Sequence, residues 1–275
     1  QILQSLPQAI QTMLDPAECG PACLSLCQDV QGETFDYPEE FFKERIHNIR
    51  RPRPDDFQIK QAVEKIKNSK KPIIISGGGV FYSDAMDELG NFAIKHNIPV
   101  TQTVMGYSTM KKDHSHFVGP IGGLGGKAAN NLAKETDLAI CIGTKLADFT
   151  TGSWANFENP EFKLVSINIA RHDANKHLAE AVIGDAKVSL IELSNALGDW
   201  RSSDSWHKKS QDELKSWNEY VDKESGPTNQ ELPSYAHAVG AIYRNSDPTD
   251  IAVTAAGGLV GEVVQVWRPK ELNTH

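Results

Sequence analysis

From Asp55 onward, apolar residues recur with two alternating periods. In "DDFQIKQAVEKIKNSK", Phe57, Ile59, Ala62, Val63 and Ile66 fall at helical spacing behind an aspartate cap, which predicts a helix. "KPIIISGGG" is a short unbroken apolar run ending in glycine, the pattern of a parallel strand covered on both faces. Helical spacing returns in "SDAMDELGNFAIKHN", with Met86, Leu89, Phe92 and Ala93 on one side and Ser83 or Asp84 as the cap. "IPVTQTV" follows as a strand, "GKAANNLAKETD" as a helix, and "LAICIGTKL" and "KLVSINIA" as two further strands. "EAVIGDAKVSLIELSNAL" then predicts a brief strand, an Asp185 cap and another helix. This alternation predicts an α/β fold over residues 55–200: a doubly wound, mostly parallel, Rossmann-like sheet.

The flanks read differently. Residues 201–232 mix Trp206, Leu214, Trp217 and Tyr220 with many charges and end in "ESGPTN", the character of a surface linker helix. At Pro233 a new unit begins: helix "PSYAHAVGAIYRNS", turn "DPTD", strand "IAVTAA", then Gly257-Gly258. One helix and one strand cannot bury a core, so 233–275 reads as the start of a truncated domain and 1–54 as the end of another. In that first segment "ECGPACLSLCQDV" spaces Cys19, Cys23 and Cys27 by four residues. Gly20-Pro21 interrupts any helix there, and the alternation after it predicts a strand with Cys23 and Cys27 as buried thiols. A metal or cluster is the other reading, but no fourth ligand follows at short spacing.

Composition narrows the classes. With 39% hydrophobic and 23% charged residues among 275, the chain has material for a core. A net charge of −8 disfavours nucleic acid as a partner, and the basic "RRPRP" reads as a linker. No apolar run reaches the roughly 18 residues of a membrane helix. No secretory signal is evident, and the absence of an initial Met suggests a piece of a longer chain. Four cysteines, with Cys141 in an apolar run, fit free thiols in a reducing cytoplasm.

Several loops are candidates for chemistry. "SGGGVFYSD" places Gly77, Gly78 and Gly79 where a dinucleotide turn would lie, although Tyr82 occupies the third glycine position. A nucleotide or an ordinary tight turn would both use these glycines. "GPIGGLGGKAA" ends in Gly126-Lys127, but Ile121 and Ala128 break the phosphate-loop pattern; its glycines still permit close approach to a ligand. His114 and His116 have metal-compatible spacing without a third ligand, and a solvated loop pair is the expectation. His172 and Asp173 follow a strand at its carboxyl end, where they would contact a ribose or cap the next helix. No nucleophile–base pair or paired carboxylate is visible.

Taken in order, these pieces resemble the thiamine-diphosphate-dependent enzymes of the acetohydroxyacid synthase type. "CGPACLSLCQDV" fits the last strand of their pyrimidine-binding domain, with Cys27 where proline is usual. "PIIISGGGV", "TVMGYSTM", "GPIGGLGG", "IGTKLADFTTGSW" and "INIARHDANKH" match successive motifs of their Rossmann-like middle domain, and "IAVTAAGG" matches the start of their pyrophosphate-binding domain. "DPAECGP", "CQDVQGETFDYPEEFF", "IRRPRPD" and "TAAGGLVGEVVQVWRPKELNTH" are most similar to members that open a cyclic dione in myo-inositol breakdown. Ala255 to Leu259 replace the Asp-Val-Gly-Gln-His run of the synthases, which argues against acetolactate synthesis.

The resemblance implies a parent using thiamine diphosphate and Mg²⁺ to hydrolyse a C–C bond of a small cyclic dione, assembled as a homodimer or larger. It places Ala256, Gly257, Gly258 and Leu259 on the thiamine diphosphate side. Gly77, Gly78, Gly79, Met105, Gly106, Gly122, Gly123 and His172 would form a middle-domain pocket for FAD or another nucleotide, occupied in some relatives and empty in others. The activating glutamate and the Gly-Asp-Gly metal motif lie outside residues 1–275, so this stretch alone is expected to be inactive.

Overall fold

The computed structural model describes residues 1–275, which divide into two units, Gln1–Pro52 and Arg53–His275. In the first, α1 (Ile2–Leu14) is an uncharged helix with Pro7 inside its first two turns. No residue of this unit is buried. "ACLSLC" does not form the expected strand with buried thiols: it lacks ladder partners, and Cys19, Cys23 and Cys27 are exposed. Alternation specifies which face a strand would bury, but a strand exists only when a neighbour exchanges backbone hydrogen bonds with it.

The second unit follows the predicted alternation. Asp55 accepts the N–H of Phe57 at 2.8 Å and opens α2 (Asp56–Lys67), which buries Ile59, Ala62 and Ile66. Then come β1 (Pro72–Ser76), the single turn α3 (Gly79–Tyr82) and α4 (Met86–His96). Neither Ser83 nor Asp84 caps α4. Ser83 closes α3, Asp84 is left-handed at φ 51°, and Ala85 takes the cap position without a side-chain bond. Next are β2 (Val100–Gln102), β3 (Phe117–Pro120), α5 (Lys127–Glu135) and β4 (Leu138–Ile142). After the short α6 (Asp148–Thr151) follow β5 (Lys163–Asn168), α7 (Arg171–Ala174) and β6 (Glu180–Ile183). Asp185 then accepts from Lys187 and Val188 to start α8 (Ala186–Leu197).

All six strands are parallel, in the order β3-β2-β1-β4-β5-β6. In central β1 the side chains alternate between two cores. Ile74 faces Leu89, Phe92, Leu190 and Leu193, whereas Ile73 and Ile75 face Leu132, Ala139 and Trp206. Both faces are covered, which is why the central strands β1 and β4 read as near-continuous apolar runs.

The long helix α9 (Asp204–Glu224) is bound along the sheet. Trp206, Ser210, Leu214 and Val221 are buried, and the Trp206 indole N–H donates to Pro72 O at 2.9 Å. α10 (Tyr235–Asn245) forms where expected, with Ser234 and His237 making a reciprocal cap. "IAVTAA" is not a strand: it pairs with no other strand, and Ile251 and Val253 are exposed. Beyond it α11 (Gly258–Val266), which the apolar pattern did not announce, packs Val263 and Val266 with Val239 and Tyr243.

Candidate functional site at the carboxyl edge of the sheet

In a sheet of this order the crossovers run in opposite directions from β1 and β4, so their loops diverge at the carboxyl edge, where ligands enter open α/β sheets. Here that edge is closed by backbone. The Gly77 N–H donates to Ile142 O at 2.8 Å and the Gly79 N–H to Gly143 O at 2.9 Å. A Cβ on Gly77 would overlap Gly143 O, and one on Gly79 would lie 2.6 Å from Gly143 Cα. From the other side Met105 and Gly106 close on the same loop: a Cβ on Gly106 would overlap Ser76 O, and one on Gly78 would sit 3.0 Å from Met105 O. The turns after β1, β2 and β4 therefore interlock, and their glycines are explained by packing alone.

Gly122 and Gly123 form a second cluster. Gly122 has φ +106°, and the Gly123 N–H donates to Phe149 O at 2.8 Å. Asn130 brackets the turn, accepting from Gly122 N and donating to Gly122 O. Gly126 rests on Trp217, and Lys127 is exposed as the first residue of α5. His172 is exposed on α7, beyond β5. Asp173 does not cap a following helix; it lies inside α7 and pairs with Lys176 at 2.5 Å.

Ala256, Gly257, Gly258 and Leu259 are all exposed; the first two precede α11 and the last two begin it, with Gly257 at φ +143°. Nothing lies within 4 Å of a Cβ added to Gly257 or Gly258. On this chain these four residues form an open helix entry, which does not by itself cradle a diphosphate. α11 does reach the second cluster, through Gly261 and Gln265 against Leu124.

The His114–His116 pair is not a solvated loop. His116 is buried, with Nδ1 2.9 Å from Ser115 Oγ and Nε2 3.2 Å from Asn97 Oδ1, so both ring nitrogens are engaged. No group of three His, Cys, Asp or Glu side chains is arranged to hold a metal. Burial pushes the Cys141 thiol well above its ordinary range, which makes it inert rather than nucleophilic.

The structure adds residues that the motifs did not single out. Gly143 is the counterpart of Gly77 after β4, a position readable from the shared strand-to-glycine ending. Phe149 is a large apolar side chain exposed at the edge, 68% accessible, as is the already expected Met105 at 73%. The loops after β4 and β5 hold Leu146, Ser153, Trp154, His177 and Leu178 in left-handed backbone, with Trp154 edge-on to His177 at 4.6 Å. One cleft of about 600 Å³ opens at the opposite edge between Lys65, Asp137 and Lys163, and another lies within the first unit.

Residues 59–193, which hold the sheet and its interlocked edge, match the family described as "Thiamine pyrophosphate enzyme, central domain". Over this domain the chain is similar to that thiamine-dependent family. Relatives extend the likeness over the flanks. The chain is 37% identical, over 97% of its length, to the 3D-(3,5/4)-trihydroxycyclohexane-1,2-dione hydrolase of Clostridium perfringens strain 13. Proteins of the same name from Clostridium botulinum strain Alaska E43 and Bacillus anthracis are 37% and 36% identical over the whole chain. The chain spans 45–46% of the length of these relatives.

Proposed function

We propose that the chain is the central part of a thiamine-diphosphate-dependent hydrolase that opens the ring of 3D-(3,5/4)-trihydroxycyclohexane-1,2-dione to 5-deoxy-glucuronate in myo-inositol breakdown. The observation that carries this reading is the reach of the likeness: identity of 36–37% continues through residues on both sides of the 59–193 domain. Thiamine diphosphate, when bound, supplies an electron sink for C–C cleavage. The residues of this chain supply the rigid sheet, the interlocked carboxyl edge and, through Ala256 to Leu259, one wall of the cofactor site, with Mg²⁺ held by groups beyond them. The intact protein works in the reducing cytoplasm as a homodimer or larger, and this stretch alone is inactive.

A second reading is favoured by the strand order, which is that of dinucleotide-binding sheets. It gives the carboxyl edge a nucleotide, with Met105 and Phe149 against a flat ring. A yellow purified protein, or a higher melting temperature with FAD, ADP or NAD, supports it; no shift with any of them rejects it. The main proposal is tested by assaying the full-length protein, loaded with thiamine diphosphate and Mg²⁺, for dione ring opening and for pyruvate condensation. Ring opening without acetolactate is expected, and acetolactate formation overturns the proposal.

A further inference from the structure

The imidazoles of His116 and His207 lie face to face, 4.2 Å between centroids and 25° from parallel. They sit where α4, the turn into β3 and the start of α9 meet. His116 Nε2 is 3.2 Å from Asn97 Oδ1, at the end of α4. The Asn97 amide in turn donates to Ser202 O at 3.2 Å and to Asp204 Oδ1 at 3.1 Å. The Ser202 N–H donates to His96 O at 2.9 Å, and His96 Nδ1 lies 2.8 Å from Trp200 O. His207, one turn into α9, has its Nδ1 buried without a partner. Four residues on, the amide nitrogen of Gln211 is buried and unpartnered as well. The start of α9 is thus held by a polar seam whose centre is two stacked rings, and a seam with unsatisfied members is where a fold opens most cheaply.

Charge around the seam favours opening in acid. Asp204, beside His207, is already bonded to Asn97, and Asp113 stands beside His114, 5.9 Å from His116 between rings. On the positive side Arg201 faces His116, His207 and His96, and Lys95 faces His96. Two imidazolium rings at the observed spacing repel one another, and no carboxylate lies between them.

We propose that the His116–His207 stack is an acid-operated latch: protonation parts the rings and releases the first turns of α9 from the sheet, while the sheet itself stays folded. Burial, reinforced by the charges of His207, His114 and Arg201, pushes His116 down to about 4 from 6.5. Burial likewise lowers His207, His114 and His96. Released rings regain ordinary proton affinity, so the open form binds more protons than the closed one. The latch therefore holds fully above pH 6.5, weakens as the pH falls from 6.5 toward 4, and changes no further below that. At pH 5 the His116 shift alone favours opening by about 30-fold relative to neutral pH.

Amide hydrogen exchange of the 275-residue chain, corrected for its intrinsic pH dependence, tests this at pH 7.5 and 5.0. Opening of residues 206–212 is expected to rise about 30-fold in acid, with β1 and β4 at least about tenfold better protected than α9. His116→Gln/His207→Phe, which keeps the polar contacts of one ring and the stacking of the other, should flatten the response. If α9 and the strands open together at both pH values, or the double variant responds like the parent, the latch is wrong. Should the variant fail to fold, histidine NMR titration of the unmodified chain decides: depressed, mutually dependent midpoints for His116 and His207 support the latch, and independent titration near 6.5 refutes it.

Discussion

Gly79 and Gly123 are both loop glycines on the carboxyl edge, but their surroundings differ. A Cβ on Gly79 would meet Gly143 Cα at 2.6 Å, backbone that no rotamer can move aside, whereas Gly123 has only Phe149 O, at 3.8 Å. Gly79→Val is expected to cost about 1–3 kcal/mol of stability, read as a lower urea midpoint, with Gly123→Ala near neutral. Equal losses would show that the turns do not interlock. The cysteines separate in the same way. Cys19, Cys23 and Cys27 are exposed and Cys141 is buried with a raised thiol pKa. A disulfide reagent at pH 8 should therefore modify the first three within minutes and Cys141 only after denaturation. Modification of fewer than three in the native chain would place the first unit in another arrangement.

At the scale of elements, α9 is the instructive case. Its helical period was visible in the sequence, but its burial was not, because Trp206 and Leu214 are set among lysines and glutamates that leave the apolar stripe narrow. What fixes it is tertiary: an indole N–H on Pro72 O, packing along α5 and β3, and Leu214 buried in the apolar cluster that includes Phe117. Trp206→Phe should cost about 1–2 kcal/mol and Leu214→Ala about 2–5 kcal/mol in urea unfolding. Costs below about 0.5 kcal/mol for both would return α9 to the role of a surface linker. The regular helices and strands between Asp55 and Leu197 were legible because each buries its apolar side against the same sheet. β3 was not: four residues containing Gly119 at φ +104° and Pro120 carry little strand propensity and owe their state to β2. "ACLSLC" and "IAVTAA" failed in the opposite sense, since local alternation called for partners that the chain does not supply. The site divides along the same line. Gly77, Gly79 and Gly122 were recognisable as required glycines, but whether the requirement came from a ligand or from neighbouring backbone depends on Gly143 and Phe149, residues 66 and 27 positions away in the chain.

The whole molecule has a well-packed second unit and a first unit without a buried residue. Limited trypsin digestion should therefore cut first at Lys43, Arg45 or Arg50, all exposed, and leave a product running from that region through α9. Early cleavage inside β1 to β5 would contradict that order. The same imbalance agrees with the proposed role: a scaffold sheet whose carboxyl edge is filled by its own turns, flanked by segments that match much longer thiamine-dependent relatives. The most direct measurement is isothermal titration of the 275-residue chain with thiamine diphosphate in the presence of Mg²⁺. The account predicts no tight binding, since Ala256 to Leu259 form an open helix entry and no metal-ligating cluster accompanies them. A single tight site on this chain would contradict it.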